Sequence, residues 1–563
     1  MSDERARELV RLAGQLKTER STFESHWQDI ADVMRPQGQP FTGNAEPLQG
    51  EKRTSKMFDA VPPLALEKFA AVLEALLSPR NQVWSKLAVT DERLQQDLEV
   101  QRYLDEVNKT LFRVRYRPAS NLASQLAESY LNLGAFGTQV LFVGDDVGRS
   151  IVYRSCGLHK VLIAEDQHGR VNQVHRYYDF TADQAVRAFV EDKARKDPRL
   201  SKEQLYARLP NPIRTAYEGK ARNAFKFMHS VVQREAIELG RNDYRGMPWG
   251  SCHVFLNDAT TIDEGGYRTM PYCVSRYTKN AEELYGRSPA MLVLPDTNML
   301  NRMNKVSIKG AERAVDPPLM TMDDSLAVFN LTNGALNRGT LDEQGNELVK
   351  PFNANAKVEL GLEMMDQKRA IIREAFLLDV FQALIEAPRL NMMQIMEIVK
   401  DKAALLSPIM GRQQSELFGP MTERELSILA EARLLPPMPD ALIEADGEVT
   451  IEYMSPMAIA QRAETGVGIL RTWEAITPLL GTEEGKAASR VFNVEETFRE
   501  LAQVNNYPAK AMRSKDEVDQ LKEQDQQAMD AQQALAAAPV ISQSLKSMAE
   551  AGAALPPGGL SAR

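Results

Sequence analysis

Cysteine and histidine are scarce in this chain of 563 residues, and neither is spaced to bind a metal. The three cysteines (Cys156, Cys252 and Cys273) include no C-x-x-C pair, which argues against a disulfide framework and a zinc site. The six histidines are scattered without ligand spacing. We therefore expect no metal and no other cofactor.

Long apolar runs are also missing. No stretch approaches the roughly 18 apolar residues that a membrane-spanning helix needs. Residues 1–20 are charged where a signal peptide would be apolar. We therefore expect no membrane partner, and synthesis in a reducing cytoplasm.

Basic residues are not in excess: 68 Lys and Arg stand against 77 Asp and Glu, a net charge of −9. This argues against a protein that coats nucleic acid, because neutralising phosphates requires a basic surface. It leaves room for a local basic patch. The composition is globular, with 43% hydrophobic and 26% charged residues, and the length predicts roughly two to four domains.

Catalytic motifs are absent as well: the chain has no HExxH, GxSxG or GxGxxG. Residues 481–486 (GTEEGK) resemble a phosphate-binding loop, but the glycine spacing is one residue short. Ala487 also stands where a magnesium-binding Ser or Thr is needed. A loop at the start of a helix is the better interpretation, and the sequence predicts no catalytic residue.

Periodicity predicts an α+β first half and a mainly helical second half. The turn residues at 144–148 and 166–169 favour β-hairpins and therefore antiparallel sheets. The predicted helices of the first half cover 4–35, 61–77, 91–133 and 181–196. The predicted strands cover 138–143, 150–153, 159–164, 171–178, 225–234, 251–256 and 272–277.

The segment that follows combines a capped helix start with two stripes. Ser288 is a good N-cap, and Pro289 at the first helical position loses no hydrogen bond. Spacings of three and four residues place four cations on one stripe: Arg302, Lys305, Lys309 and Arg313. A second stripe is apolar or small: Met299, Met303, Val306, Gly310 and Ala314.

These two stripes have a simple interpretation and a functional one. The simple interpretation is a solvated basic face on a surface helix. The functional one is a helix that packs on neighbours with one face and meets a polyanion with the other.

The order of the elements, read with local motifs over most of the chain, resembles the portal, or head-to-tail connector, family of short-tailed double-stranded DNA bacteriophages. The motifs that carry this resemblance are Trp27 with Met34-Arg35-Pro36, Met57-Phe58-Asp59-Ala60, Leu77-Ser78-Pro79, Trp84, Gly134-Ala135-Phe136-Gly137-Thr138, Arg276-Tyr277, Tyr285-Gly286-Arg287-Ser288-Pro289-Ala290, Leu294-Pro295-Asp296, Leu300-Asn301, Pro317-Pro318, Ala375-Phe376-Leu377-Leu378-Asp379-Val380-Phe381 and Leu434-Leu435-Pro436-Pro437.

The resemblance implies a mainly helical α+β portal-type fold with wing, stem, clip and crown, assembled into a ring. On that template the parts are an α+β wing (1–285), a first stem helix (286–314), a clip (315–362), a second stem helix (363–381), a tunnel loop (382–391), a wing helix (392–421), a crown (422–505) and a Gln/Ala-rich C-terminal barrel or disordered tail (506–563). The chain departs from the family after the tunnel loop. Where other members have a Thr-Ala-Thr-Glu-like helix start, it has Met392-Met393-Gln394-Ile395-Met396-Glu397.

The function implied by the resemblance is structural, with no catalysis. A ring, usually of twelve copies, would sit at one capsid vertex of the virion, and double-stranded DNA would pass through it during packaging and ejection. The implied partners are the terminase large subunit, tail adaptor and tail proteins, and capsid and scaffolding proteins. Synthesis would take place in the bacterial host cytoplasm.

Two groups of residues are candidates for this function. The candidate DNA-channel or inter-subunit cations are Arg302, Lys305, Lys309, Arg313, Lys368, Arg369 and Arg389. The candidate wing–stem junction is Tyr285, Gly286, Ser288 and Pro289. Two alternative functions stay open: a nucleic-acid-binding scaffold protein that uses the basic stripe, and a hydrolase or nuclease whose dispersed carboxylates converge only in the fold.

Overall fold

The computed structural model of the protein describes residues 2–36, 40–42, 50–80, 82–146, 151–196, 199–235, 244–321, 330, 332, 334–336, 340–341, 344–351, 358–378, 408–444, 449–453, 468–475, 493–504, 512–513 and 517–529. The chain divides into two compact units. The first comprises residues 1–86, 108–435 and 451–461, and the second comprises residues 87–107, 436–450 and 462–563.

Two helical segments begin the first unit, where the sequence predicted one helix over 4–35. α1 (Ser2–Glu19) and α2 (Ser21–Val33) meet at Arg20. The backbone ladder continues through this junction, since the Arg20 N–H donates to Leu16 O at 3.1 Å. The buried Arg20 guanidinium reaches sideways and donates to Leu158 O at 2.9 Å.

The following helices agree with the predicted pattern. α3 (Val61–Leu77) has the predicted bounds and is followed by Ser78-Pro79. The predicted helical stretch 91–133 is present as three helices, and a strand that the sequence did not predict precedes them. In chain order these elements are β1 (Ser85–Val89), α4 (Glu92–Gln96), α5 (Leu98–Arg115) and α6 (Leu122–Phe136).

Two larger sheets belong to the first unit, and every strand pairing in them is antiparallel, as predicted. The three-stranded sheet has the order β3-β2-β9, and the five-stranded sheet runs from β4 to β8 in sequence order. The strands are β2 (Thr138–Asp145), β3 (Ile151–Cys156), β4 (Val161–Glu165), β5 (Val171–Thr181), β6 (Ala224–Gln233), β7 (Trp249–Phe255), β8 (Thr260–Tyr267) and β9 (Tyr272–Arg276). β8 was not predicted, because it contains a Gly-Gly pair and few apolar residues.

The five-stranded sheet is covered on both faces. α1 contributes Ala6, Leu9 and Ala13 to a core with Leu162 and Met228. A group of short helices packs a second core on the other face around Phe227 and Phe255, two positions that alternate with Met228 and Val254 along the strands. These helices are α7 (Ala182–Val186), a π-helical turn (Arg187–Glu191), α8 (Asp192–Lys196), α9 (Lys202–Arg208) and α10 (Asn211–Glu218).

A hairpin of two long helices follows β9. α11 covers Pro289–Val315, and α12 covers Val358–Ala375. Contacts of Asp296 with Lys368 and of Ser307 with Gly361 show that the helices are antiparallel. Between them, β10 (Leu319–Thr321) pairs with β11 (Val349–Pro351). We refer to α11 and α12 together as the helical hairpin.

The predicted bounds of the second hairpin helix, 363–381, are wrong. α12 begins five residues earlier and ends at Ala375. Phe376 is fully buried, with its ring 5.6 Å from that of Phe69, and Leu377 has a φ of +55°. This left-handed residue ends the helix where the buried ring requires the chain to turn.

Further helices lie toward the C-terminus. Residues 408–413 are helical and lead through a π-helical turn (Gln414–Phe418) into a helix over Gly419–Glu431, so the predicted boundary at 421/422 falls inside this helix. Asp440–Glu444, Val494–Val504 and residues 468–475 and 517–529 are helical, and β12 (Val449–Tyr453) pairs with β1. Residues 382–391, 392–407 and 481–486 lie outside the described residues.

Candidate functional site

Two glycines, distant in sequence, bring two of the motifs together just before α11. A Cβ added at Gly286 would lie 2.1 Å from Gly137 O, and one at Gly137 would lie 2.4 Å from Gly286 O. Gly137 also has a φ of +74°, a left-handed conformation that glycine adopts without strain. Both positions therefore require glycine.

The predicted junction residues surround this contact. The Gly286 N–H donates to Thr138 Oγ1 at 2.9 Å. Ser288 Oγ donates to Ala135 O at 2.8 Å and accepts from the Met291 N–H at 3.0 Å. Ser288 is the N-cap of α11 and Pro289 its first residue, so the predicted start of this helix is confirmed. The start of α11 is thus anchored to the end of α6 and the start of β2.

Tyr285 extends the same anchor into an aromatic cluster. Its buried ring meets the Trp27 ring edge-on at 5.1 Å and lies 5.6 Å from the Phe23 ring. The Trp27 indole N–H donates to Phe136 O at 3.1 Å. The first helices of the chain therefore hold the start of α11, a role of Trp27 that its position in the sequence did not reveal.

The four cations of the basic stripe are all exposed on α11. Lys305 lies over the Phe58 ring, with Nζ 5.1 Å from the ring centroid. Among the described residues, Arg302, Lys309 and Arg313 have neither an ion pair nor a side-chain hydrogen bond. The charge of the stripe is therefore available to another molecule.

The apolar stripe beside it is only partly covered by the described residues, since Met303 is half-buried but Met299, Val306 and Ala314 are exposed. Val306 is 64% exposed and Met299 is 40% exposed, although apolar side chains of this size are usually covered. No described atom lies within 4 Å of a Cβ added at Gly310. Leu292, seven residues before Met299 on the same side of the helix, is 75% exposed.

The two cations predicted on α12 have partners within the protomer. Lys368 pairs with Asp296 of α11 at 2.7 Å. Arg369 pairs with the buried carboxylate of Asp59 at 2.9 Å and with Asp366 at 2.8 Å. Lys368 thus joins the two hairpin helices, whereas Arg369 ties α12 to the segment before α3. The seventh candidate, Arg389, lies outside the described residues.

Asp59 belongs to a motif that the hairpin clamps. Asn301 Oδ1 accepts from the N–H groups of Phe58 and Asp59 at 2.9 and 3.1 Å. Asn304 Nδ2 donates to Phe58 O at 2.7 Å. The segment before α3 is thereby tied to both hairpin helices. The sequence showed the motif and Asn301 separately but gave no sign of their contact.

Sequence reasoning missed a buried ion pair. Arg115 of α5 and Glu425 of the Gly419–Glu431 helix are 1% and 0% exposed and pair at 2.7 Å. The Trp84 ring lies 4.5 Å from the guanidinium carbon, and Thr422 Oγ1 accepts from the guanidinium at 2.9 Å. Burial and the charge of Glu425 raise the pKa of Tyr153, which donates to this carboxylate.

A group of buried and half-buried histidines in the five-stranded sheet was also missed. His229 and His253 are cross-strand neighbours whose rings stack 4.1 Å apart. His229 Nδ1 lies 2.6 Å from Tyr272 Oη, and His253 Nδ1 lies 2.9 Å from Tyr178 Oη. Burial lowers the pKa of His253 to about 3 and that of His175, on β5, to about 4. These rings are neutral structural groups.

In the part of the chain that the structure describes, no His, Cys, Asp and Glu side chains form a group of three or more that could hold a metal ion. None of the helices described is both long and apolar enough to cross a bilayer. The features that stand out are the anchored helical hairpin and its exposed stripes.

The chain is similar in sequence to known proteins. Two curated relatives cover most of the chain. The "Probable portal protein" of Bordetella phage BPP-1 is 26% identical over 456 residues, which is 80% of this chain and 79% of that protein. The "Portal protein" of Salmonella phage epsilon15 is 23% identical over 568 residues, covering 98% and 96%.

Among solved structures, a chain from the "Neck of empty GTA particle computed with C6 symmetry" is 12% identical, with a TM-score of 0.37. The structural alignment covers 76% of this chain and 92% of the chain from the neck. The family assignment depends on the sequence matches. The sequence model for "Bacteriophage head to tail connecting protein" matches residues 6–512, so the chain belongs to the family of bacteriophage head-to-tail connecting proteins.

Proposed function

We propose that this protein is a phage portal protein that forms a ring of twelve copies at one capsid vertex of the virion. Double-stranded DNA would enter through the ring during packaging and leave through it during ejection. The observation that carries the proposal is the family match over residues 6–512, together with two portal proteins as relatives over most of the chain. A structural role, without catalysis, follows from the family.

The parts of the chain are assigned accordingly. The α+β region up to residue 285 is the wing, α11 and α12 are the stem, and the segment with β10 and β11 is the clip. The helix Gly419–Glu431 packs in the same compact unit as the wing, which favours a crown that begins after residue 435. Residues 382–391 remain the proposed tunnel loop, with Arg389 as its cation.

Charge supports a channel that does not grip DNA. Each phosphate that a protein neutralises adds salt-dependent affinity, so a strongly basic lining would hold the duplex in place. The net charge is −9, and Lys368 and Arg369 are already paired. Arg302, Lys305, Lys309 and Arg313 thus remain as isolated cations for the lumen or for the subunit interface.

The proposed partners divide by stage. Capsid and scaffolding proteins would meet the ring during assembly, the terminase large subunit would dock during packaging, and tail adaptor and tail proteins would follow. Synthesis of the chain would take place in the bacterial host cytoplasm.

Negative-stain electron microscopy of the purified protein tests the proposal. We expect rings with a central hole and radial projections, and class averages should give twelvefold symmetry. Light scattering measures the mass of the particles in solution. A protein that stays near its 63.0 kDa monomer mass under all assembly conditions would contradict the portal function.

The two alternative functions have their own signatures. A nuclease or hydrolase would cleave DNA or nucleotides in the presence of Mg²⁺. A nucleic-acid-binding scaffold would lose duplex binding after charge reversal of Lys305 and Lys309, whereas a portal ring has little such binding to lose.

A further inference from the structure

The two hairpin helices carry exposed charges of opposite sign. Between residues 302 and 313, the exposed charges of α11 are four cations and one carboxylate, Glu312. Between residues 362 and 374, α12 exposes three carboxylates (Glu363, Asp366 and Glu374) and one guanidinium, Arg373. Asp366 is paired with Arg369 of its own helix, so Glu363 and Glu374 remain as the acidic groups of α12 that are opposite in sign to the basic stripe of α11.

Exposed apolar side chains accompany these charges. Leu292, Met299 and Val306 are seven residues apart, so they lie along one side of α11. Arg302 lies about 40° around the helix from Val306, at roughly 100° per residue. Leu362 and Ile371 of α12 are 50% and 40% exposed. α11 therefore has an outward face of mixed apolar and basic composition, as found at protein interfaces. On α12, Leu362 and Ile371 lie nine residues apart and flank the acidic residues on opposite sides of the helix.

Two contacts between the helices give the level of these groups along the hairpin to within about one helical turn. Asp296 is level with Lys368, and Ser307 is level with Gly361. Interpolation between them places Arg302 less than one helical turn from the level of Glu363. Rotation about a ring axis does not change the height of an atom along that axis. In a ring whose axis runs along the hairpin, Arg302 of one copy would therefore meet its neighbour at the level of Glu363.

We propose that the hairpins of adjacent copies join through these two faces, with Arg302 of one copy against Glu363 of the next. The inference rests on the proposed ring and identifies the residues at its joint. A closed ring is head-to-tail, so each copy uses different surfaces toward its two neighbours, which matches a basic face on α11 and an acidic face on α12. Assembly would also cover Met299 and Val306. The basic stripe is then primarily a subunit contact.

A charge swap tests the joint in the full-length protein. In Arg302→Glu, two carboxylates face each other, and we expect assembly to weaken by about tenfold or more at each contact, because like charges at an interface repel. Glu363→Arg should have the same effect. The double variant should regain rings, since the pair is restored with its polarity reversed.

Arg208→Glu is the matched control. Arg208 is exposed at the end of α9, away from the hairpin, and this variant makes the same charge change. It should form rings like the unaltered protein. Circular dichroism of the unassembled variants checks that each of them folds.

Crosslinking provides a second readout. Arg302→Cys and Glu363→Cys proteins, mixed before assembly and treated with a short bismaleimide, should give a dimer that neither gives alone. The native cysteines are all buried and do not compete.

The outcomes separate the two proposals. If the unaltered protein forms no ring, the portal function fails. If it forms rings but Arg302→Glu assembles normally, the double variant stays monomeric, or the mixed cysteine proteins give no dimer, the joint is wrong while the portal function stands.

Discussion

At the scale of single residues, the junction before α11 depends on the missing side chains of Gly137 and Gly286. Each glycine Cα lies so close to the other's carbonyl oxygen that an added methyl group would overlap with backbone, which cannot rotate away. Ser288 and Thr138 add hydrogen bonds to the same contact. The direction in which α11 leaves the sheet is thus fixed by a backbone contact.

Gly286→Ala should destabilise the folded subunit by about 3 kcal/mol or more, through overpacking against Gly137 O. Urea unfolding of the unassembled protein measures this change. Gly14→Ala is the control, because Gly14 lies in α1 with nothing within 4 Å of an added Cβ. There the alanine should stabilise by up to about 1 kcal/mol. Equal effects at both positions would contradict the proposed contact.

The Arg115–Glu425 pair gives a second prediction at this scale. Glu425→Ala should cost about 3–5 kcal/mol, since it leaves a buried guanidinium without its counter-charge. Glu431→Ala, in the same helix, removes a carboxylate that lies 3.6 Å from exposed Arg268 and should change stability by less than about 1 kcal/mol. The denaturant midpoints of the two variants measure these losses of stability, and Glu425→Ala should have the lower midpoint.

At the scale of elements, the five-stranded sheet carries a dependence on pH. His175 and His229 are buried and His253 is half-buried, and burial lowers all three pKa values from the ordinary 6.5. The unfolded chain therefore binds more protons than the folded one below pH 6.5. Stability is fully present above that pH and is lost as the pH falls toward the folded values near 3 and 4.

The slope of this loss is about 1.4 kcal/mol per pH unit for each histidine. Denaturation at constant ionic strength between pH 6.5 and 4.5 measures it. His253→Phe removes one titrating ring while keeping an aromatic group against His229. The slope should therefore fall by the share of one histidine, about 1.4 kcal/mol per pH unit.

The hairpin gives another prediction at the scale of elements. Ala370→Pro removes a backbone hydrogen bond in the middle of α12 and should cost about 3 kcal/mol or more. Electron microscopy should then show no rings, whereas Ala370→Ser, at the same exposed position, should assemble. Normal rings from the proline variant would remove α12 from the proposed stem.

At the scale of the whole molecule, the subunit exposes apolar side chains that assembly would cover. Leu292, Val306 and Val315 are each more than 60% exposed on α11. Burying these apolar side chains between subunits is favourable, and association in turn stabilises the folded subunit by mass action.

Thermal unfolding should therefore depend on protein concentration. The melting temperature should rise with concentration wherever rings form, because association stabilises the folded subunit by mass action. Differential scanning calorimetry over a hundredfold concentration range measures the shift. The Arg302→Glu variant should show a smaller rise, and a melting temperature independent of concentration in the unaltered protein would contradict assembly.

Local signals in the sequence determined much of this protein. The N-cap at Ser288, the proline after it and the bounds of α3 depend on neighbouring residues alone, as do the hairpin turns that make the sheets antiparallel. Both stripes of α11 follow from the helical repeat. Scattered motifs in a fixed order were sufficient to indicate the family.

Only the tertiary structure decided which of these residues meet. Gly137 and Gly286, Asp59 and Arg369, and Arg115 and Glu425 lie far apart in sequence, and their contacts arise only when the chain is packed. The end of α12 was likewise set by the burial of Phe376 and not by periodicity. Local patterns report the conformation of a segment, whereas a buried contact depends on the groups that other segments bring to it.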